Sequence, residues 1–225
     1  MRHEISIDGF VITSDNSAAI GEKQQDVVQA PDSITAKFAA RVALLEQWAS
    51  GSEPQAVLLH NFSGAAHWDA YAAGIADLFA EAETRLPPIS GSTETNMATL
   101  QSGIAVTIIG KQSRKQAAAG SLNWFVYGIP LVGEDVLTKA DQIADLAAIK
   151  KALESELIER VWPVGSKGIA HEAELLMGNA VEFSADLDVG SSAGPATCVL
   201  VGAMPEKRKH VQDYFGEYLF SIDFQ

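Results

Sequence analysis

At 225 residues and 23.9 kDa, with 47% hydrophobic and 20% charged residues, the chain has the composition of an ordinary globular protein. Its net charge of −13 and its pI near 4.7 argue against non-specific binding to a nucleic-acid backbone, but not against ATP, because Mg²⁺ supplies positive charge locally. Cys198 is the only cysteine, which excludes an intrachain disulfide and a zinc site built from cysteines. The sequence contains neither a signal-peptide pattern nor an apolar run near the roughly 18 residues that span a bilayer, so we expect a cytoplasmic protein with no membrane partner.

The first half of the chain predicts an α/β unit of alternating strands and helices. The predicted elements, in order, are a strand over Gly9–Ser14, a helix from about Ser33 that Gly51 closes, a strand over Ala56–Leu59, a helix carrying Trp68 to Ala82, a short strand at Ile89 and a strand over Ile104–Gly110. Pro54 and the Pro87-Pro88 pair separate these elements.

The polar segment from Lys111 to Gly120 is the predicted linker, with an N-terminal domain over 1–112 and a C-terminal domain over 121–225. The second half predicts a strand over Leu122–Ile129, a long helix from about Val136 to Leu153, a stop at Trp162-Pro163, a helix over Ile169–Met177, a strand over Thr197–Val201 and a last short helix starting at Pro205.

An acidic segment, DNSAAIGEKQQD, follows the first predicted strand. It contains Asp15, Glu22 and Asp26, together with Gly21 and Lys23. Carboxylate oxygens suit Mg²⁺, glycine lets backbone approach a phosphate closely, and lysine offsets charge on a transferring group. On spacing alone, a solvated turn with scattered charge is the more common explanation of such a segment.

A second acidic segment, GSTETN, follows the strand at Ile89. It offers Gly91, Ser92, Thr93, Glu94 and Asn96, which also suit an ordinary loop or helix cap. Neither a Walker A pattern nor a G-x-G-x-x-G after a strand occurs in the chain, which argues against a P-loop and a Rossmann site. Two acidic segments at strand ends can converge on a divalent cation and the phosphates of a nucleotide.

A third segment, Gly165-Ser166-Lys167-Gly168, precedes a predicted helix, where free backbone N–H groups and the helix dipole favour an anion. A capped helix with exposed polar residues explains it equally well. His60 and His67 are spaced too far apart for a metal motif and are more simply surface or core histidines. Ser63 lies near both, but no G-x-S-x-G elbow supports a hydrolase.

Together these segments resemble the AIR synthase-related, or PurM-like, ATP-binding proteins, and most closely the α-ribazole kinase group. The resemblance rests on SDNSAAIGEKQQDVV, KFAARVALLEQWASGSEPQAV, GSTETNMATLQSGIAVTIIG, PVGSKGIAHEAELL and SAGPATCVLV, which occur in the expected order over nearly the whole chain.

The resemblance implies an α/β (α+β) PurM-like fold, with a mixed-sheet ATP-binding half and a reduced C-terminal half, usually as a homodimer. It implies ATP and Mg²⁺ as cofactors, with Asp15, Asp26 and Glu94 as metal ligands and the Gly165–Gly168 segment facing the same cleft. The implied reaction is phosphoryl transfer from ATP to the 5′-hydroxyl of α-ribazole, in salvage of the cobamide lower ligand. Two departures from the group are Thr95, where a second acid is expected, and the stretch HNFSGAAHWD.

Phosphoryl transfer mainly requires in-line positioning and neutralisation of charge. We therefore expect Lys23 or Lys167 to offset phosphate charge and a carboxylate such as Asp26 to orient the attacking hydroxyl, although the sequence does not single out a base. Two other functions stay open: a family member that binds a nucleotide or metabolite without transfer, and a ligase or cyclase resembling AIR synthase.

Overall fold

A computed structural model describes residues 4–178 and 187–222 of the chain. The chain divides into two compact units, Met1–Arg114 and Lys115–Gln225. The division falls inside the predicted linker segment. That the chain forms two domains over 1–112 and 121–225 stays a prediction.

The first unit contains seven strands and two helices among its described residues. These elements are β1 (Ile5–Ile7), β2 (Phe10–Ala18), β3 (Ile20–Gly21), β4 (Val28–Gln29), α1 (Asp32–Ala49), β5 (Ser52–Asn61), α2 (Trp68–Glu81), β6 (Ile89–Thr93) and β7 (Gly103–Gln112). A 3₁₀ turn, Ala65–His67, leads into α2.

Five of these strands form one mixed sheet in the order β1-β2-β7-β5-β6. β7 is antiparallel to both β2 and β5, and β5 is parallel to β6, so β2, β5 and β6 all run in one direction. Their carboxyl ends, Ala18, Asn61 and Thr93, therefore meet at the same side of the sheet, next to Gly103 at the start of β7. We call this side the carboxyl edge.

One face of the sheet packs against α1. Thr13 donates a hydrogen bond to the Ala43 carbonyl (2.8 Å), and Gln47 donates to the Val11 and Ile108 carbonyls (3.0 and 2.8 Å). The helix α2 packs on α1, and Gly74 allows this because a Cβ there would overlap the Ser33 carbonyl. The helix α1 starts one residue before the predicted Ser33, and α2 starts at the predicted Trp68, which confirms the helical periodicity. The helix α2 ends at Glu81, before the Pro87-Pro88 pair that was predicted to end it.

Two predicted loops of the first unit belong partly to strands. β2 continues past Ser14 because Asp15–Ala18 pair without interruption with Gly103–Val106, so Asp15 is a strand residue. β6 likewise includes Gly91, Ser92 and Thr93, which pair with Leu59–Asn61. The prediction that these seven residues lie in loops is wrong, because pairing partners distant in sequence extend both strands.

The second unit contains a four-stranded antiparallel sheet in the order β11-β8-β10-β9. Its elements are β8 (Asn123–Tyr127), α3 (Asp135–Thr138), α4 (Leu146–Glu154), β9 (Arg160–Pro163), α5 (Gly168–Met177), β10 (Val199–Ala203), α6 (Arg208–Phe215) and β11 (Leu219–Ile222). The helix α5 confirms the predicted Ile169–Met177 helix.

The predicted long helix over 136–153 is wrong, because it is divided into α3 and α4. Between them, Ile143 is extended and the Ala144 N–H donates to the Thr197 carbonyl (2.8 Å), which removes this stretch from any helix. Asp145 then caps α4 by accepting from the Ala148 N–H (2.7 Å).

Trp162 and Pro163 were predicted to stop the chain, but they belong to β9, the edge strand beside β10. Proline has no N–H to donate to a ladder, so within a sheet it is tolerated on an edge strand, where one side has no neighbouring strand to receive that hydrogen bond. No helix within residues 4–178 and 187–222 is long and apolar enough to cross a membrane.

Candidate functional site

The carboxyl edge of the first unit holds most of the predicted site residues. Across the sheet, Asp15 on β2 aligns with Val106 on β7, then Leu59 on β5, then Gly91 on β6. Three strand spacings separate Asp15 from Gly91, or roughly 14 Å. The two acidic segments therefore share one edge of the sheet without being direct neighbours.

Asp15 is the one carboxylate on β2. It lies two residues beyond Thr13, so it is on the face of the sheet that packs against α1. Burial raises the pKa of Asp15 to about 6, and a hydrogen bond from the Asn16 backbone lowers it only in part. A divalent cation nearby would offset this unfavourable burial of charge.

Asp26 is buried, and hydrogen bonds engage both of its oxygens. Oδ1 accepts from the Ser102 N–H (2.7 Å), and Oδ2 accepts from the Ser102 hydroxyl (2.7 Å) and the Lys23 N–H (2.9 Å). Burial alone would raise the pKa of Asp26, but the hydrogen bonds from Ser102 and Lys23 lower it below its ordinary value. Asp26, Ser102 and Lys23 join the loop between β3 and β4 to the loop before β7 at the carboxyl edge, and we call these three residues the Asp26 clamp.

Lys23 and Gly21 support the same clamp. The Lys23 ammonium donates to the Thr99 carbonyl (2.8 Å) and hydroxyl (2.5 Å). These two hydrogen bonds fix the ammonium group against the loop between β6 and β7. A Cβ on Gly21 would lie 2.6 Å from the Ser102 Cβ, so only glycine fits beneath the clamp. The structure thus gives both residues a role within the chain, and their contact with a nucleotide stays a prediction.

Glu22 lies at the surface and accepts a hydrogen bond from the Asp32 N–H (3.2 Å) at the start of α1. This contact brings the first acidic segment to the N-terminus of α1, where a carboxylate interacts favourably with the helix dipole. Its predicted contact with a nucleotide stays a prediction.

The second acidic segment turns immediately after β6. Glu94 Oε1 accepts from the Asn96 and Met97 N–H groups (2.6 and 3.1 Å), and these backbone hydrogen bonds lower the pKa of Glu94. A Cβ on Gly91 would overlap the Leu59 carbonyl, so this glycine lets β6 approach β5.

The remaining side chains of this segment differ in exposure. Ser92 is exposed on the sheet face opposite α1, whereas the Thr93 hydroxyl accepts a hydrogen bond from the Asn61 amide (3.4 Å). Asn96 is exposed, and its backbone N–H donates to Glu94 Oε1. Binding of a nucleotide by these residues is neither supported nor contradicted by this geometry.

Asp32 was not among the predicted site residues and His67 was predicted to be a surface or core histidine, but the two side chains form a hydrogen-bonded pair at the same edge. Asp32 Oδ2 lies 2.5 Å from His67 Nδ1, and the two side chains are 2% and 20% exposed. Asp32 Oδ1 is buried and has no hydrogen-bond partner among the described residues. A half-satisfied buried carboxylate is costly, which makes this oxygen a candidate ligand for a cation.

A second hydrogen-bonded pair, Tyr71 and Ser63, contacts His67 through the Tyr71 ring. The Tyr71 ring stacks on the His67 ring at 6.1 Å, and its hydroxyl lies 2.7 Å from the Ser63 hydroxyl. The Ser63 hydroxyl also accepts from the Gly103 N–H (2.9 Å) at the start of β7. Burial raises the pKa of Tyr71 to about 12, the Ser63 hydrogen bond lowers it in part, and the charge of Asp32 raises it further.

The sequence indicates the Asp32–His67 pair only weakly. Asp32 directly follows Pro31 at the start of a helix, where an acid is commonly only a cap. His67 lies 35 residues away in sequence, and only the packing of α2 on α1 brings the two together. Ser63 hydrogen-bonds Tyr71 rather than either histidine, which agrees with the absence of a hydrolase motif.

No group of three or more His, Cys, Asp or Glu side chains within residues 4–178 and 187–222 is arranged to hold a metal ion. Asp15, Asp26 and Glu94 therefore do not form a preassembled three-carboxylate site. Mg²⁺ is usually held by one or two carboxylates together with substrate phosphates, so this finding does not test each residue separately.

The glycine-rich segment lies in the second unit, at the start of α5. Ser166 and Lys167 are exposed, whereas Gly168 is buried at a φ of +83° and packs against the Val189 and Gly190 backbone. The Gly165 carbonyl accepts from the Ala193 N–H (3.2 Å). Gly168 thus permits close packing of the two loops, and anion binding here stays a prediction.

Comparison with solved structures shows the fold of the chain. It resembles PurL from T. maritima complexed with AMPPCP (14% identity, TM-score 0.63, 98% of this chain and 42% of that one). It also resembles thiamine monophosphate kinase from Aquifex aeolicus (10% identity, TM-score 0.64, 99% and 88%) and the hydrogenase maturation protein HypE in complex with ATP (11% identity, TM-score 0.63, 98% and 78%).

No protein-family model and no curated protein matches the sequence. The structural likeness confirms the predicted α/β, PurM-like fold, since all three neighbours share it. The chain spans less than half the length of PurL but most of the length of the kinase and of HypE. At 10–14% identity the likeness describes the fold alone, and the closer resemblance to the α-ribazole kinases stays a prediction.

Proposed function

We propose that the protein is an ATP- and Mg²⁺-dependent enzyme that transfers a phosphoryl group to a small-molecule hydroxyl, with α-ribazole or a related nucleoside as acceptor. The observation that carries this proposal is the buried Asp32 Oδ1, which has no partner in the described part of the chain and lies where three parallel strands end. Neighbours of the same fold bind ATP or AMPPCP, which supports a nucleotide as the ligand.

The donor set fits Mg²⁺, which prefers oxygen ligands and keeps positions for phosphates and water. Asp32 supplies an oxygen without a partner, and Asp15 supplies a carboxylate that burial makes costly to ionise. When held by these carboxylates, Mg²⁺ would reduce the negative charge of the phosphates. In a chain with a net charge of −13, such a cation would reduce the repulsion between the protein and ATP.

The other predicted residues have unequal support. Asp26 and Lys23 already hold the loops together, so we assign them to positioning, and direct contact with substrate or metal is the less favoured role. Glu94 keeps its predicted metal role, because a surface carboxylate with a lowered pKa stays ionised. Lys167, exposed at the start of α5, is the residue that we expect to offset phosphate charge.

Calorimetry with ATP, with and without Mg²⁺, followed by an ADP-release assay with α-ribazole, tests the proposal. Asp15→Asn, Asp32→Asn and Glu94→Gln should each reduce ADP release at least 100-fold, because each removes a charge proposed to hold the cation. Asp77→Asn, an exposed acid on α2, is the matched control and should be fully active. Full activity of all three site variants would show that the proposed site is wrong.

A second candidate is a nucleotide- or metabolite-binding protein without transferase activity. Thr95 in GSTETN favours it, because the resemblance predicts an acid there, and the described residues hold no preassembled group of three metal ligands. Binding of ATP without turnover of any nucleoside would favour this candidate. A third, the use of ATP to activate an amide or carboxyl oxygen, would be identified by the mass of the product.

The resemblance also implies a homodimer, which we include in the proposal. Three large apolar side chains on the β1–β2 edge, Ile5, Ile7 and Phe10, are 46–58% exposed in the isolated chain, which suits a contact with a second copy. Light scattering coupled to size exclusion would give the mass in solution. A monomer at micromolar concentration would contradict this part of the proposal.

A further inference from the structure

We propose that His67 is a positioning residue that fixes the Asp32 carboxylate so that its Oδ1 is presented to the cation. This inference rests on the proposed function, because it concerns the same cation. It adds a residue that neither the acidic-loop patterns nor the resemblance assigns.

Hydrogen bonding divides the Asp32 carboxylate into two unlike oxygens. Oδ2 is 2.5 Å from His67 Nδ1, whereas Oδ1 is buried without a partner in the described part of the chain. A pair that served only the fold would be expected to satisfy both oxygens, as the Asp26 clamp does. The oxygen without a partner therefore points to a ligand on Oδ1.

The surroundings of His67 restrict the orientation of its ring. The 3₁₀ turn Ala65–His67 places the backbone, and the His67 N–H donates to the Gly64 carbonyl (3.2 Å). The ring stacks on Tyr71 with an interplanar angle of 26°, and the Tyr71 hydroxyl is fixed by Ser63. With Nδ1 donating to Asp32, neutral His67 carries its proton on Nδ1 and leaves Nε2 as an acceptor.

Fixing a ligand through a hydrogen bond to its other oxygen is a common way to strengthen a metal site. Removal of such an outer partner usually lowers metal affinity by about 10- to 100-fold, because the ligand must then be ordered by the metal itself. The geometry here matches that arrangement, since one oxygen is held and the other is presented. A cation on Oδ1 leaves the bond to His67 intact.

Two substitutions separate the hydrogen bond from the packing. His67→Phe keeps a ring that can stack on Tyr71 but removes the donor. His67→Asn shortens the side chain but places an amide N–H near the position of Nδ1. If His67 acts by donating to Asp32, asparagine should restore binding and phenylalanine should not, although phenylalanine preserves more of the packing.

The measurement is the affinity for Mn²⁺ alone, by electron paramagnetic resonance at one fixed pH, with competition by Mg²⁺. We expect His67→Phe to bind about 10- to 100-fold more weakly than wild type, and His67→Asn to bind within about threefold of it. The thermal unfolding midpoint without metal should be similar for the two variants. Asp77→Asn should bind as wild type does.

Equal Mn²⁺ affinity of wild type and His67→Phe would overturn the inference. Equal losses of Mn²⁺ affinity in His67→Phe and His67→Asn, accompanied by lower unfolding midpoints in both, would also overturn it. Wild-type binding that Asp32→Asn leaves unchanged would also overturn it, since the cation would then lie elsewhere. Because neither ATP nor an acceptor is present, the result does not depend on turnover. A protein that shows the expected Mn²⁺ pattern but transfers no phosphoryl group would retain this inference and lose the proposed function.

Discussion

Asp26 and Asp32 are both buried, lie six residues apart in sequence and occupy the same edge of the same sheet, yet their surroundings differ. Asp26 accepts three hydrogen bonds, which engage both of its oxygens. Asp32 Oδ2 accepts from His67, whereas Oδ1 has no partner among the described residues. The difference separates a carboxylate that holds two loops together from one that is suited to an external ligand.

The comparison also shows why burial alone does not identify a functional acid. Hydrogen bonds to a buried carboxylate stabilise it in place, whereas an unmade hydrogen bond costs the full loss of hydration. Asp15 is a third case, because burial raises its pKa to about 6 and the backbone of Asn16 offsets this only in part. Four experiments, by substitution or titration, should distinguish the surroundings of Asp26, Asp32 and Asp15.

Asp26→Ala should give the largest loss of stability, about 3 kcal/mol or more, because it leaves the Ser102 and Lys23 donors without their charged acceptor. Urea denaturation of the full chain at pH 7 measures it. The pKa of Asp26 is lowered in the folded state, so this contribution is present above the unfolded pKa of about 3.9 and is lost as pH falls through the folded value. A loss below 1 kcal/mol would remove the distinction between Asp26 and Asp32.

The titration of Asp15 should act in the opposite direction. A folded-state pKa of about 6, against 3.8 for the free group, means that the folded protein binds the proton more tightly between these values. Stability should therefore fall as pH rises from about 4 to 6, by at most about 3 kcal/mol.

Asp15→Asn should remove this fall and make the protein more stable than wild type at pH 7, as urea denaturation across the pH range would measure. A wild-type stability that does not change over this range, or that Asp15→Asn leaves unchanged, would contradict the raised pKa.

Gly21→Ala should cost about 2 kcal/mol, because the added Cβ meets the Ser102 side chain and must displace it from Asp26. Ser102→Ala alone provides the comparison, since it removes the hydroxyl while keeping the Ser102 N–H on Asp26. If the clamp acts as a unit, the double variant should be less destabilised than the sum of the two single variants. Additive losses would show that Gly21 acts independently of the clamp.

Asp32→Asn should change stability least, by about 1 kcal/mol or less in either direction. The amide oxygen can still accept from His67, and the substitution removes a buried charge that is only half satisfied. Thermal unfolding without divalent cation measures this effect, and Mn²⁺ affinity measured on the same sample should fall sharply. A loss of several kcal/mol would show that Asp32 belongs to the fold as Asp26 does.

Much of the first unit follows from local patterns. The apolar stripe from Trp68 to Phe79 and the alanine-rich helix closed by Gly51 predict α2 and α1, because helical periodicity depends on neighbours three and four residues apart. Strand limits depend on partners far away in sequence, which is why β2 and β6 extend into segments predicted as loops. The break between α3 and α4 has the same origin, since Ala144 hydrogen-bonds the distant Thr197.

The sequence by itself determined the PurM-like α/β fold, the inventory of carboxylates near strand ends and the glycines that the loops require. Only the tertiary structure decided which of those carboxylates is satisfied. Ser102 reaches Asp26 across 76 residues of sequence, and His67 reaches Asp32 across 35. Hydrogen bonds act over about 3 Å, so the partners of a buried acid depend on the packing of α2, α1 and β7, which local sequence patterns do not contain.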